Sequence, residues 1–191
     1  MKHRQRILTL CGSLRSQSSN REILRAYEQL APVPLTFEHY ERLGTLPHFN
    51  PDLDGDDTWL PTEVLALRTL VSGADAVVIS TPEYAHALPG SFKNALDWLV
   101  GDPAFANKPV VILHAARGSS WAFDSLTEVL RTMSARVIKD ACVMLPLGSN
   151  QADKDAILTR ENFRALLLGS MTILLTTLTR HQTATDGNGP S

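Results

Sequence analysis

The sequence predicts an α/β fold in which a doubly wound, five-stranded parallel sheet carries helices on both faces. Short runs rich in Val, Ile and Leu are apolar along their whole length, as strands are when helices cover both faces of a sheet. Segments with apolar residues at three- and four-residue spacings separate these runs, as amphipathic helices would. The alternation of strands and helices favours parallel strands, because parallel neighbours are joined by crossover helices.

Five strands and five helices are predicted in alternation. Four strands are buried runs, and the second alternates polar and apolar residues as an edge strand does. The predicted strands are residues 7–11, 35–40, 76–80, 110–115 and 141–145. The predicted helices are residues 20–30, 61–71, 91–100, 122–133 and 160–178.

This number of strands favours the flavodoxin-like order 2-1-3-4-5 over the six-stranded dinucleotide-binding fold. In such sheets ligands bind outside the carboxyl ends of the strands, where the strand order reverses. That point lies between the first and third strands, so the loops at residues 12–20 and 81–90 are the predicted site. We expect one domain over residues 1–180 and a flexible tail over residues 181–191.

The composition narrows the classes of partner and compartment. The 191 residues include 18 basic and 20 acidic side chains, for a formal charge of −2 without a basic block, which disfavours nucleic acid. No apolar run approaches the roughly 20 residues that span a bilayer. The apolar stretch that follows the basic N-terminal residues is too short for a signal peptide. Cys11 and Cys142 lack the spacing of a metal or redox motif, so we expect reduced, buried thiols. A cytoplasmic protein without a membrane partner is therefore expected.

The first loop, GSLRSQSSN at residues 12–20, is rich in hydroxyl groups and contains one glycine. It has neither GxxxxGK[ST] nor GxGxxG, so ATP or GTP hydrolysis is not supported. A helix N-terminus attracts anions, and this loop adds polar donors that suit a terminal phosphate monoester. These donors are Ser13, Arg15, Ser16, Ser18 and Ser19. The alternative is that Ser19 or Asn20 simply caps the helix and that the other serines are solvated.

The second loop begins the segment STPEYAHALPGSFKNALDW at residues 80–98. Pro82 and Pro89 fix φ, so the backbone between them is stiffened and can direct its polar groups at a planar partner. Tyr84 and His86 suit the edge and face of an aromatic ring. The alternative treats charged side chains as surface residues and apolar ones as packing of the following helix. The residues concerned are Glu83 and Lys93, and Phe92, Leu96 and Trp98.

Both segments carry a resemblance to one family. GSLRSQSSN resembles the GSLRxxSxN phosphate loop of the NAD(P)H-dependent FMN reductases, a flavodoxin-like family that includes quinone, chromate and azo-dye reductases. TPEYAHALPGSFKNALDWLVG is similar to the family's TPEYN-x-x-xPG-x-LKNAIDW segment, and LPHFNPDL is a connection that several members share. The similarity covers the chain from Ile7 to about Leu147.

The resemblance implies an FMN-dependent oxidoreductase that takes hydride from NAD(P)H and passes electrons to a quinone, free flavin or similar small-molecule acceptor. The flavin carries the chemistry, so no catalytic side chain is implied. The implied phosphate-binding residues are Ser13, Arg15, Ser18, Ser19 and Asn20. The implied lining of the isoalloxazine ring is the backbone of Pro82, Glu83, Tyr84 and Ala85.

One residue and one segment depart from the family pattern. The family often has Asn where Ala85 stands, and a Ser/Gly-Gly run where this chain has HAARGSSW at residues 114–121. In that segment Arg117 and Gly118 are the candidates for flavin contact. His86 and Arg117 are further candidates for binding the nicotinamide nucleotide or donating a proton, although each is more often a surface residue.

A homodimer or homotetramer is implied, because related proteins build the flavin pocket at a dimer interface. The connection at residues 43–59 contains Leu46, Phe49 and Trp59, which are predicted to be exposed, and it is long enough to form a functional flap or a subunit contact.

Two other functions remain open. A flavodoxin-type electron carrier would bind FMN without oxidising NAD(P)H, but such carriers are usually strongly acidic. A regulatory or scaffold protein of the same fold would be colourless and would not take up FMN.

Overall fold

The structure, a computed structural model, describes residues 4–33, 35–55, 60–116, 120–147 and 152–186. Strands and helices alternate through most of these residues. The strands are β1 Gln5–Cys11, β2 Leu35–Tyr40, β3 Ala76–Ser80, β4 Pro109–Ala116, β5 Arg136–Val137 and β6 Val143–Pro146. The helices are α1 Ser19–Gln29, α2 Thr62–Gly73, α3 Gly90–Val100, α4 Trp121–Thr132, α5 Lys154–Leu158 and α6 Glu161–Asp186.

The strands form one parallel sheet in the order β2-β1-β3-β4-β5, with β6 also paired to β4. The predicted order 2-1-3-4-5 is therefore confirmed. Because β1 lies between β2 and β3, the strand order reverses beside β1, and the carboxyl ends of β1 and β3 are neighbours. The two predicted loops begin at these ends.

The predicted fifth strand at residues 141–145 is wrong in its extent, because two short strands share the edge of β4. The Sγ atom of Cys142 accepts the N–H of Ile112 at 3.3 Å, and its thiol donates to the carbonyl of Ile138 at 3.4 Å. A side-chain sulfur thus takes the place of a strand carbonyl. The chain makes a 3₁₀ turn at Lys139–Ala141 between β5 and β6.

Helices cover both faces of the sheet, because successive strand residues point to opposite sides. One core cluster joins the sheet to α2, α3 and α4, and the other joins it to α1, α5 and α6. All five residues of β3 are buried, as expected for a central strand covered twice. The prediction that Phe92, Leu96 and Trp98 pack α3 against the sheet is confirmed, since all three are fully buried.

Helix α6 is longer than predicted and continues to Asp186, so residues 181–186 of the expected tail are helical. Its segment Glu161–Arg180 is long and apolar enough to cross a membrane by length and composition. One side of the helix is nevertheless core, where the Ser170 hydroxyl donates to the carbonyl of Ala141 at 2.6 Å and lies 3.1 Å from the hydroxyl of Tyr27. The division into one domain and a tail stays a prediction.

The connection between β2 and α2 is held against α3 rather than projecting from the surface. Leu46 is buried, and Phe49 packs edge-to-face on Trp98 with 5.0 Å between ring centroids. The Asn94 side chain accepts the N–H of Phe49 at 2.7 Å and donates to the carbonyl of Pro47 at 2.9 Å. The prediction that Leu46 is exposed is therefore wrong, and Phe49 is half-buried. A subunit contact at this connection stays a prediction, and Trp59 lies outside the described residues.

We expect Asn94→Ala to lower the free energy of unfolding by about 2 kcal/mol, because it leaves the N–H of Phe49 without its acceptor. Urea-induced unfolding followed by circular dichroism measures the change. Lys93→Ala is the control on the same helix, since its exposed ion pair with Asp97 contributes about 0.5 kcal/mol or less. Equal effects of the two substitutions would contradict the assignment.

Candidate functional site

The carboxyl ends of β1 and β3 are in direct contact. The N–H of Gly12 donates to the carbonyl of Ser80 at 2.8 Å. A Cβ atom on Gly12 would lie 2.1 Å from the Oγ1 atom of Thr81 and 3.1 Å from the ring of Phe92. Only glycine therefore fits at this position, and its absent side chain lets the two loops approach each other.

A second hydrogen bond joins the same loops. The buried Ser80 hydroxyl donates to the Oδ1 atom of Asn20 at 2.9 Å. Asn20 lies in the first turn of α1, so this bond fixes the beginning of that helix to the end of β3. The loops at residues 12–20 and 81–90, which were predicted to form one site, are thus in direct contact.

The first loop ends at a helix N-terminus whose side-chain cap is missing. Ser18 occupies the N-cap position with φ −135° and ψ 120°, and within the described part of the chain its side chain makes no capping hydrogen bond. The alternative that Ser19 or Asn20 caps α1 is wrong, because both lie inside the helix. The Ser19 hydroxyl oxygen accepts the N–H of Ala152 at 3.1 Å, and Asn20 is bonded to Ser80.

The remaining donors of the first loop are arranged around this helix start. Ser13 and Ser18 are buried, whereas Arg15 is exposed. The Ser13 oxygen accepts the backbone N–H of Arg15 at 3.3 Å, which leaves the hydroxyl proton of Ser13 to donate elsewhere. The loop therefore combines hydroxyl donors, a guanidinium and a helix N-terminus, a donor set that suits a phosphate.

Arg21 holds the tip of the first loop, a role that the sequence analysis missed. Its Nη1 atom donates to the carbonyls of Arg15 and Ser16, each at 2.9 Å. Arginine in the first turn of a helix is opposed by the helix dipole. That unfavourable placement is the sequence signal that could have identified Arg21.

Cys11 lies at the end of β1, next to the first loop. Its sulfur is 3.8 Å from the carbonyl oxygen of Ser13, and burial raises the pKa of its thiol. Because a raised pKa keeps the thiol protonated at neutral pH, Cys11 is poorly suited to act as a nucleophile.

The second loop contains a tight turn that the sequence analysis did not predict. Tyr84 and Ala87 exchange two backbone hydrogen bonds of 3.0 Å each. Between them Ala85 and His86 have φ angles of 50° and 59°, as in a type I′ turn, where glycine and asparagine are usual. A left-handed conformation costs a residue with a side chain roughly 1–2 kcal/mol, so this turn is strained at two successive positions.

The second loop is also attached to the beginning of α4. The Oε2 atom of Glu83 accepts the N–H of Ala122 at 3.0 Å, so Glu83 is not simply a surface charge. The His86 ring stacks on that of Trp121 with 5.5 Å between centroids and 22° between planes.

Two of the predicted flavin contacts, Arg117 and Gly118, lie outside the described residues. Among the described residues, no group of three or more His, Cys, Asp or Glu side chains could hold a metal ion.

Comparisons with known proteins agree on one family and one fold. The family model described as NADPH-dependent FMN reductase matches residues 5–150. A quinone reductase of Escherichia coli (strain K12) is 35% identical over 120 residues, which cover 62% of this chain and 63% of that protein. The match thus spans less than two thirds of the relative's length.

Solved structures resemble the chain over most of its length. The flavoenzyme FerB, an NAD(P)H:(acceptor) oxidoreductase from Paracoccus denitrificans, has a TM-score of 0.74 at 27% identity and covers 93% of this chain and 98% of its own. A flavodoxin, WrbA-like protein from Agrobacterium tumefaciens has a TM-score of 0.58 at 11% identity, covering 94% and 99%. The second similarity confirms the flavodoxin-like fold.

We expect Ala85→Gly to stabilise the protein by about 0.5 kcal/mol or more, because glycine adopts the left-handed conformation at no steric cost. Ala87→Gly is the matched control: Ala87 has no left-handed φ, so glycine there only adds conformational freedom to the unfolded chain and is destabilising. Thermal unfolding of the two variants measures both effects. A lower stability for Ala85→Gly would show that the turn is not strained.

Proposed function

The chain belongs to the NADPH-dependent FMN reductase family, and we propose that it is an FMN-dependent oxidoreductase that transfers electrons from NAD(P)H to a quinone or another small acceptor. The observation that carries the proposal is the contact between the two loops at the ends of β1 and β3. One loop offers donors for a phosphate, and the other offers a rigid turn for a ring. The name of the Escherichia coli relative, quinone reductase, supports the acceptor class.

The first loop fits the phosphate of FMN through the chemistry of its donors. Ser13 and Ser18 would donate hydroxyl protons, and Arg15 would supply the positive charge. Asn20 would donate from its side-chain amide nitrogen, because the bond with Ser80 uses its oxygen. Ser19 would contribute at the helix N-terminus, and its hydroxyl oxygen accepts the N–H of Ala152. Arg21 keeps the loop backbone in place and does not contact the phosphate itself in this proposal.

The second loop is proposed to line the isoalloxazine ring through its backbone. The N–H groups of Tyr84 and Ala87 close the turn by bonding each other's carbonyls. Hydrogen bonds to the ring would therefore come from the backbone of the other residues of this loop. These residues are Pro82, Glu83, Ala85 and His86. Arg117 and Gly118 stay predicted contacts.

FMN supplies the redox chemistry when bound, accepting hydride from NAD(P)H and passing two electrons on. In the overall reaction NAD(P)H, a proton and a quinone give NAD(P)+ and a hydroquinone. The chain would bind and orient the reactants, and backbone N–H groups of the second loop other than those of Tyr84 and Ala87 would stabilise negative charge at the ring. Glu83 maintains the turn against α4 and is a positioning residue.

A homodimer or homotetramer is proposed, with the outer face of α6 as the contact. Leu166 and Leu168 are exposed on this helix. Thr172 and Thr176 donate their hydroxyls to carbonyls one turn back, at 2.9 and 2.8 Å, so their hydroxyl protons are satisfied within the helix. Light scattering after size exclusion tests this, with Leu166→Glu expected to reduce the mass.

A cytoplasmic location is also proposed, supported by the packing of the other face of α6 in the core.

The absorption spectrum of the purified protein and an NAD(P)H oxidation assay test the function. We expect a flavin spectrum and oxidation of NADH or NADPH that depends on an added quinone. Bound FMN without NAD(P)H oxidation would indicate an electron carrier. Failure to take up FMN would indicate a scaffold protein and contradict the proposal.

We expect Arg15→Ala to weaken FMN binding by roughly 1.5–3 kcal/mol, the usual contribution of a hydrogen bond to a charged group. Titration of the flavin-free protein with FMN measures the change. Arg25→Ala is the matched control. It also removes one positive charge near the site, but from a side chain on α1 that forms an ion pair with Glu22. If both variants bind FMN equally, Arg15 has no specific role.

Arg21→Gln is expected to lower FMN affinity by about 1–2 kcal/mol, because the loop loses charge-assisted bonds to two carbonyls. Faster hydrogen exchange at residues 12–18 in the flavin-free protein is the second readout. Unchanged exchange together with weaker binding would instead indicate that Arg21 contacts the ligand directly.

A further inference from the structure

An exposed aromatic stack lies beside the proposed ring site. Trp121 is the first residue of α4 and remains 57% exposed although it stacks on His86. His86 is itself exposed, at the strained end of the second loop. The stack joins the loop that follows β3 to the helix that follows β4, at the edge of the sheet where ligands bind.

The packing of α4 does not require this tryptophan. Ala122, Leu126 and Leu130 are fully buried and recur every four residues, so they form the face that contacts the sheet. Trp121 precedes that face and leaves most of its surface in water. A large aromatic side chain kept exposed beside a candidate site is typical of a surface that binds a ligand.

The turn that presents His86 is costly, and the surrounding contacts keep it in place. Two successive left-handed residues are tolerated only where neighbouring structure holds them, and such strain is concentrated at functional sites. Here the paired backbone of Tyr84 and Ala87 closes the turn, and Glu83 fixes it to Ala122. The result is that the His86 ring is held nearly parallel to the ring of Trp121.

We propose that the His86–Trp121 stack is the platform on which the flat ring of the electron acceptor lies, so that the site selects conjugated, planar acceptors over compact ones. The inference rests on the proposed function, because the acceptor must reach the ring lined by the same loop. Offset stacking on an aromatic side chain favours a planar conjugated ring over an isolated carbonyl compound of similar polarity. The stack thus determines specificity, and no electron passes through it.

Binding to the oxidised, FMN-loaded protein in the absence of NAD(P)H tests the platform without turnover. The probe is 1,4-naphthoquinone-2-sulfonate, titrated calorimetrically. We expect Trp121→Leu to weaken its binding roughly three- to tenfold, the usual range for one aromatic pair, and Trp121→Phe to retain most of the affinity. Val100→Ala, an exposed apolar residue at the far end of α3, is the control and should change nothing.

The second readout is reoxidation of chemically reduced enzyme, which avoids any effect on NAD(P)H. The naphthoquinone concentration that gives half the limiting reoxidation rate should rise in Trp121→Leu by the same factor as the dissociation constant, with the limiting rate unchanged. The rate with ferricyanide, which has no ring to stack, should stay at the wild-type value. Equal losses with both acceptors, loss of FMN, or a change in oligomeric mass would overturn the platform and make Trp121 a structural residue or a subunit contact.

The inference and the proposed function fail in different ways. If the wild-type protein binds no FMN or oxidises no NAD(P)H even with ferricyanide, the proposed function is wrong and the platform falls with it. If the wild-type protein reduces both acceptors and Trp121→Leu binds the naphthoquinone as tightly as wild type, only the platform is wrong.

Discussion

The contact between Gly12 and the end of β3 is the constraint on which the rest of the site depends. The Gly12 N–H is bonded to the Ser80 carbonyl, and there is no room for a side chain because Thr81 lies where a Cβ atom would be. This contact brings a loop of hydroxyl and guanidinium donors and a loop with a rigid turn to one edge of the sheet. The Ser80 hydroxyl extends the same junction to Asn20, so the N-terminus of α1 is positioned together with the loops.

Outside that junction, each loop is held by one charged side chain. Arg21 fixes the carbonyls at the tip of the first loop, and Glu83 fixes the second loop to α4. Neither role requires direct contact with a ligand. The strain at Ala85 and His86 is maintained by the paired backbone of Tyr84 and Ala87 and by the bond from Ala122 to Glu83. In this way a fold of modest net stability keeps a costly conformation at its candidate site.

The sheet and the contact between the two loops of the candidate site could be predicted from the sequence, because both follow from local patterns and the strand order. Apolar runs and helical spacings identify β1, β3 and β4, and the switch-point rule then selects the two loops. The features that could not be predicted depend on distant contacts. Cys142 divides the edge strand by bonding to Ile112, and Asn94 draws Phe49 onto α3. The same holds for the pairing of His86 with Trp121.

The central claim is that the first loop binds a phosphate monoester attached to a flavin, and comparison of FMN with riboflavin tests it most directly. The two ligands share the ring system and differ by the phosphate alone. Titration of the flavin-free protein should show FMN binding at least roughly a hundredfold more tightly, since several charge-assisted hydrogen bonds depend on the phosphate. Equal affinities for FMN and riboflavin would contradict the account.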